Sequence, residues 1–111
     1  MKKEGYPKSV RIKKESDFQQ TFLHGVKKKG ENLIVFRLLR EDESGPKFGI
    51  KVGRGIKNAV TRNRIKRIFR EVLRKNQGIF RQNENVVVLV RSTADKIDIR
   101  ELKQELHDLI R

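Results

Sequence analysis

The spacing of hydrophobic residues near the N-terminus predicts a short helix. Phe18 and Phe22 lie four residues apart, which places their side chains on one helical face. Ser16 or Asp17 can cap the first turn, and Gly25 is a suitable residue to end the helix. We therefore expect ordered structure to begin near Ser16.

The middle of the chain has the pattern of a β-sheet. Residues 32–40 and 47–53 are rich in apolar residues over the length of a strand, and the polar segment 41–46 with its Gly-Pro pair is typical of a turn. These three segments together predict a hairpin. The basic stretch 27–32 is predicted to be a turn. Residues 83–92 form the most apolar strand in the chain, which favours a central position in the sheet.

Two longer helices complete the prediction. Asn58, after Gly55, is a suitable N-cap for a helix of about five turns that reaches Lys75, and residues 76–78 can end it. Residues 98–110 place their apolar side chains along one stripe, as expected of a helix that covers a sheet. The members of this stripe are Ile99, Leu102, Leu106, Leu109 and Ile110.

The order of these elements determines the fold class. Helices and strands do not alternate as in a doubly wound fold, so the sequence predicts an α+β fold. We expect a single mixed sheet packed with about three helices, in the order αβββαβα, and the patterns above locate two of the three strands that precede the second helix. A chain of 111 residues suits one domain, residues 1–111, and its basic N-terminal segment, residues 1–14, is predicted to be a mobile arm.

The second helix is unusual in its distribution of charge. Its apolar side chains fall in one arc of the helical wheel, and basic side chains fill the opposite arc, with Glu71 as the only acid. Like charges four residues apart, such as Lys66 with Arg70, cost roughly 0.2 to 0.5 kcal/mol per pair in an isolated helix. A solvated surface normally mixes charges of both signs. The one-sided charge therefore indicates a polyanionic partner, with a plain solvated face as the alternative.

Net charge supports the same interpretation. The chain has 28 Lys and Arg against 14 Asp and Glu, a formal charge of +14 and a pI near 10.6. Nucleic acid and an anionic membrane surface both suit this charge. The longest apolar runs, Leu33 to Phe36 and Val86 to Val90, are too short to span a bilayer, and the N-terminus lacks the apolar stretch of a secretory signal. The absence of cysteine suits a reducing compartment, so a cytoplasmic protein without a membrane partner is expected.

Arginine outnumbers lysine on the basic helix, and its planar fork can clamp phosphate oxygens or stack on bases. This favours RNA or DNA over lipid.

Neither His24 nor His107 lies in a pattern that suggests catalysis, and no phosphate-cradling loop indicates a nucleotide cofactor. The acidic residues 41–43 are better explained as a solvated turn than as a metal site.

The segment NAVTRNRIKR, residues 58–67, with the preceding strand KFGIKV, resembles the signature of the protein subunit of bacterial ribonuclease P. The similarity extends to the first helix, the last strand and the closing helix, so it covers nearly the whole chain. It implies a noncatalytic protein bound to a catalytic RNA that removes the 5′ leader of precursor tRNA. The required Mg²⁺ would be held mainly by the RNA. It also implies a left-handed βαβ crossover and a fold like the second domain of a small-subunit ribosomal protein.

The resemblance also implies two sets of binding residues. Contacts to the RNA subunit are expected from the basic helix and the loop before it: Arg54, Lys57, Asn58, Arg62, Asn63, Arg64, Lys66, Arg67 and Arg70. Contacts to the 5′ leader are expected from a cleft between the first helix and the sheet: Arg11, Lys13, Phe18, Phe22, Phe36 and Lys51. Aromatic faces stack on bases of any sequence, which suits a variable leader. Core packing is an equal alternative for Phe18 and Phe22, and for Phe36 a position facing the core or lining the sheet is favoured over an exposed one.

One departure from the family pattern affects the loop before the basic helix. Lys57 stands where relatives commonly have glycine, and Gly55 lies two places earlier. A lysine would be strained there if the backbone required positive φ.

Two other functions are compatible with a basic helix: a ribosomal-type RNA-binding protein, and a helix-turn-helix DNA reader. The second is disfavoured because a strand-like segment precedes the basic helix.

Overall fold

A computed structural model describes residues 11 to 91 and 98 to 111. Its elements follow the predicted order αβββαβα, which confirms the α+β class. The helices are α1 (Glu15–His24), α2 (Ala59–Lys75) and α3 (Ile99–Ile110), with a short 3₁₀ turn at Gln77–Ile79. The strands are β1 (Val26–Lys29), β2 (Leu33–Leu39), β3 (Lys47–Val52) and β4 (Glu84–Val90).

The four strands form one mixed sheet in the order β1-β2-β4-β3. The central position predicted for β4 is confirmed, since it pairs antiparallel with β2 and parallel with β3. The predicted hairpin of β2 and β3 is wrong, because β4 lies between them. From Val86 to Val90 β4 is apolar and buried on both faces except at Leu89, which is partly buried, and the strand gains backbone partners on both sides in this position. The left-handed sense of the β3-α2-β4 crossover stays a prediction.

The basic segment 27–32, predicted as a turn, is a strand over its first half. Residues 26–29 pair antiparallel with β2, and the actual turn is confined to residues 30–32. The Glu105 carboxylate on α3 fixes this turn, because it accepts hydrogen bonds from the backbone N–H groups of Asn32 and Leu33, both at 2.8 Å. The hairpin is therefore formed by β1 and β2.

Helices cover the sheet on both faces. The larger core lies between the sheet and helices α2 and α3, and it includes Phe48, Phe69, Val88 and Leu106. The predicted stripe of α3 is confirmed, with four of its five members buried. On the opposite face, α1 covers a smaller cluster in which Phe18 and Phe22 pack beside Ile12, Ile34, Phe36 and Val87. On this smaller face Leu89 of β4 is only partly buried.

Three of the four predicted helix ends agree with the structure, and one of them is the end of α2 at Lys75, with Asn76 as its C-cap. Asn58 caps α2 as predicted: its side chain accepts hydrogen bonds from the backbone N–H groups of Val60 and Thr61. Gly25 ends α1, also as predicted. The predicted cap by Ser16 or Asp17 is wrong, because α1 begins at Glu15 after Lys14, which makes no capping hydrogen bond with its side chain.

The N-terminal segment is attached to the sheet earlier than predicted. Arg11 forms a parallel bridge with Phe48, and the Ile12 backbone N–H donates to the Phe48 carbonyl at 2.9 Å while its side chain is buried. The prediction of a mobile arm over residues 1–14 is therefore wrong at Arg11 and Ile12, which are paired with β3. Residues 1–10 of that prediction lie outside the described residues.

Within residues 11–91 and 98–111, no helix is long and apolar enough to cross a membrane.

Candidate RNA-binding surfaces

The exposed side of α2 carries the charge predicted for it. Asn63, Arg64 and Arg67 are exposed, and Lys66 and Arg70 are half-buried at the borders of the face. The opposite side of the helix is buried in the larger core through Ile65, Phe69, Val72 and Leu73. Glu71, the only acid on the helix, is paired with Arg74 one turn later, and the hydrogen bond from Arg74 lowers the pKa of its carboxyl. Apart from Glu71, the charged side chains of this face are all cationic.

The loop between β3 and α2 is held by one side chain of the predicted site. The Arg62 guanidinium donates to the carbonyls of Val52, Gly53 and Ile56 at 2.9 to 3.0 Å. Three of its five N–H groups are therefore used inside the protein. Arg54 and Lys57, both exposed, are carried by this loop. Arg62 acts in this structure as a clamp that positions these two cations.

Backbone strain at Lys57 is not found. Among residues 11–91 and 98–111, positive φ occurs at Gly45 and at no non-glycine residue. Lys57 therefore occupies the place of the usual glycine without a conformational penalty, and its charge is added to the loop.

The clamp predicts a difference between two neighbouring arginines. Arg62→Lys keeps the charge but cannot reach three carbonyls with a planar fork, so we expect a loss of about 1 to 2 kcal/mol in the free energy of unfolding. Arg64→Lys is the matched control, because Arg64 is exposed on the same helix. Urea denaturation of both variants measures the difference. Equal stability of the two would contradict the clamp.

The predicted leader cleft is lined by two partly exposed aromatic side chains. Phe18 and Phe22 are half-buried, and the Phe22 ring meets the Phe36 ring edge to face, with centroids 4.9 Å apart. Phe36 itself is only 7% exposed, so it supports Phe22 and does not present a stacking face. Phe18 and Phe22 are therefore partly packed against the smaller cluster, as the core alternative expects, and partly exposed.

Lys51 joins the cleft from β3. Its ammonium lies 4.4 Å from the Phe18 ring centroid and 3.3 Å from a carboxylate oxygen of Glu15. Both members of this ion pair are substantially exposed, so the pair is weak and a phosphate could replace the carboxylate. Gly49 allows the Phe18 ring to pack closely against the strand, since a Cβ at residue 49 would clash with the ring.

The two predicted surfaces meet at the β3 edge of the sheet. A small cavity of about 80 Å³ is lined by Arg70 of α2 and by Phe18 of α1, together with Arg11 and Gly49. Although α1 and α2 cover opposite faces, their functional side chains therefore share one opening. Arg70 belongs to the border of both surfaces.

A second opening lies beside the N-terminal segment. A cavity of about 310 Å³ is lined by Arg11 and Lys13, which the sequence assigned to leader binding, and by Lys14 and Lys47, which it did not. Lys47 was missed because it opens a strand far along the chain, and no local pattern connects it to residues 11–14.

The other polar residues considered from the sequence are those of the acidic turn, residues 41–43, and two histidines. Asp42 of the acidic turn accepts hydrogen bonds from Ser44 and Arg40, which hold the pKa of its carboxyl well below the usual range. In the part of the chain that the structure describes, no group of three or more His, Cys, Asp or Glu side chains could hold a metal ion. His24 is exposed at the end of α1.

Comparison with known proteins identifies the family. The sequence model of the family described as Ribonuclease P matches residues 6 to 111. The chain belongs to the ribonuclease P protein family. The ribonuclease P protein component of Streptococcus equi subsp. equi is 36% identical over 104 residues, which cover 94% of this chain and 86% of the relative. The Bacillus pumilus component is 31% identical over the same length, covering 94% of this chain and 87% of that one.

Solved ribonuclease P proteins share the fold. The Staphylococcus aureus protein superposes with a TM-score of 0.82 and 26% identity, covering 93% of this chain and 94% of that structure. The Thermotoga maritima protein gives a TM-score of 0.74 at 26% identity, over 90% and 94% of the two chains. The predicted identity as a ribonuclease P protein component is confirmed, and the ribosomal-type alternative is not favoured.

Proposed function

We propose that this ribonuclease P protein binds the RNA subunit through the exposed face of α2 and the Arg62-clamped loop, and binds the 5′ leader of precursor tRNA in the cleft beside α1. The observation that carries the proposal is the junction of the two surfaces at the β3 edge, where Arg70 and Phe18 line one cavity. A protein that links a folded RNA to a single-stranded substrate needs adjacent sites of these two kinds. Arginines suit the phosphates of the folded RNA, and half-exposed rings suit unpaired bases.

The chemical step is assigned to the RNA subunit in this proposal. The exposed cations of α2 can bind and orient RNA, and in this proposal they take no part in the cleavage step. Among the described residues no group of three or more His, Cys, Asp or Glu side chains could hold a metal ion, and in this proposal Mg²⁺ is held mainly by the RNA. We propose that the complex acts in the cytoplasm, since a chain without cysteine suits a reducing compartment.

The proposal is tested by cleavage of precursor tRNA at low Mg²⁺ with a bacterial ribonuclease P RNA, with and without this protein. Protein alone is the control. Cleavage that is stimulated only when RNA and protein are combined would support the proposed division of labour. RNA binding without stimulation would contradict it, and cleavage by the protein alone would overturn the assignment of chemistry to the RNA.

Leader binding predicts a length-dependent defect. Phe18→Ala and Phe22→Ala should each lower the affinity of the holoenzyme for precursor tRNA with a long leader by roughly three- to tenfold, because a half-exposed ring offers one stacking face. Filter binding with long and trimmed leaders measures this effect. Phe18→Leu, which retains packing against Gly49 but not a ring, separates stacking from folding. A defect that persists unchanged with the trimmed leader would remove these residues from the cleft.

A further inference from the structure

β1 presents alternate lysines to opposite faces of the sheet. Lys27 pairs with Phe36 of β2, and Lys29 pairs with Ile34. Directly paired residues of antiparallel strands point to the same face. Phe36 and Ile34 both belong to the cluster under α1, so Lys27 and Lys29 lie on the cleft side of the sheet. Lys28 faces the other way, and its ammonium donates to the Arg111 carbonyl at 3.3 Å.

Lys29 ends a row that crosses the whole sheet. Its partner Ile34 pairs with Leu89 of β4, and Leu89 pairs with Lys51 of β3. The row therefore has an apolar floor with one lysine at each edge. With neighbouring strands about 4.8 Å apart, the two lysine Cα atoms are separated by roughly 14 Å. Leu89 is partly exposed, so α1 does not cover the whole floor.

The two cleft-side lysines of β1 are available to a ligand. Both are exposed, and neither is in an ion pair with a carboxylate of residues 11–91 or 98–111. By contrast, Lys51 at the other end of the row already contacts Phe18 and Glu15. A cationic group at each end of an apolar floor suits a strand whose phosphates bind at the edges while its bases lie on the floor between them.

We propose that Lys27 and Lys29 form a phosphate-binding subsite for the single-stranded leader, at the end of the cleft opposite Lys51. This inference rests on the proposed leader-binding function and extends it to a strand assigned no role so far. Lysines on an edge strand also discourage pairing with other sheets. Lys28 would protect the edge equally well, so protection of the edge does not explain why two lysines lie on the cleft face.

The test measures binding of precursor tRNA to the holoenzyme reconstituted with a bacterial ribonuclease P RNA. One substrate carries a leader of about ten nucleotides, within the usual length of a single-strand site, and the other a one-nucleotide leader. Lys27→Gln/Lys29→Gln should weaken binding of the long-leader substrate roughly tenfold at 0.15 M salt and lower its salt slope by about 1.4, since each single-strand contact contributes about 0.7. The short-leader substrate should bind as it does to the wild type.

Two matched variants make the result specific. Lys28→Gln/Lys103→Gln removes the same charge from the opposite strand face and from α3, and should leave leader-dependent binding unchanged. Lys27→Arg/Lys29→Arg should retain wild-type affinity. Equal behaviour of the Lys27/Lys29 and Lys28/Lys103 variants, or an equal loss with both substrates, would overturn the subsite. If the wild-type holoenzyme itself does not distinguish the two leaders, the proposed leader-binding function fails together with it.

Discussion

Replacing both Arg64 and Arg67 by glutamate should lower the affinity of this protein for the ribonuclease P RNA roughly a hundredfold or more at 0.15 M salt. Both side chains are exposed on the cationic face of α2. Each lost contact to duplex phosphate removes about 0.9 from the salt slope, which is roughly fivefold in affinity at this salt concentration. Each new carboxylate also adds repulsion from the phosphates that the arginine had attracted. The two effects together exceed what a simple truncation to alanine would produce.

The measurement is a titration of labelled RNA subunit with protein at several salt concentrations. Arg100→Glu/Lys103→Glu is the matched control, since it changes the net charge by the same amount on exposed positions of α3. If binding depends on the overall charge of +14, both double variants will lose affinity alike. If α2 is the binding surface, only the Arg64/Arg67 variant will lose it. Similar losses in both would contradict the assignment of the RNA subunit to α2.

Local sequence patterns predicted the helices well because a helix is determined by neighbours along the chain. The 3.6-residue period separated the buried side of α2, with Phe69 fully buried, from the side that carries Arg67. Asn58 was recognised as a cap because its side chain bonds to backbone only two and three residues away. The same reasoning failed for α1, where Lys14 precedes the first turn without a capping bond from its side chain.

Strand pairing could not be predicted in the same way, because it depends on residues far apart in the chain. β1 was interpreted as a turn because three consecutive lysines show no apolar alternation. Its strand conformation comes from pairing with β2 and from the contact of Glu105 with the turn, 72 residues away from Leu33. The consequence for function is direct: a turn has no sheet face, so the alignment of Lys27 and Lys29 with the cleft was hidden.

The candidate site shows a similar division. Residue type and spacing indicate which side chains carry charge. They do not indicate which of these side chains are already hydrogen-bonded or buried within the protein. Arg62 looks like its neighbour Arg64 in the sequence, yet three carbonyls of the preceding loop bind its guanidinium. Phe36 looks like Phe22, yet it is buried beneath it. The family resemblance thus assigns Arg62 and Phe36 to RNA contact, whereas the structure shows that both side chains are used inside the protein.

The largest effect on stability is expected at Glu84, a carboxylate that is only 5% exposed at the end of the central strand. Arg37 of β2 donates to both of its oxygens at 2.6 and 3.1 Å, and the Arg81 backbone N–H donates at 3.0 Å. Burial raises the pKa of the Glu84 carboxyl, but these hydrogen bonds and the charge of Arg37 outweigh it, so that the pKa lies below its ordinary value of 4.5. The Arg37 guanidinium also lies 4.8 Å from the Phe80 ring centroid, which keeps the pair in place.

Glu84→Gln should therefore reduce the free energy of unfolding by roughly 2 to 3 kcal/mol at pH 7, because it leaves Arg37 without its charged partner. A carboxyl whose pKa is lowered by folding stabilises the protein above its unfolded pKa and loses that contribution as the pH falls through the folded pKa. The difference between wild type and variant should thus be full at pH 7 and shrink below about pH 4.5, the ordinary pKa of glutamate. Urea denaturation across this range measures it. Glu71→Gln, at the exposed pair with Arg74, is the control and should change stability little at any pH. If the difference in stability between wild type and Glu84→Gln persisted unchanged in acid, the shape of the side chain rather than its charge would hold the strand end.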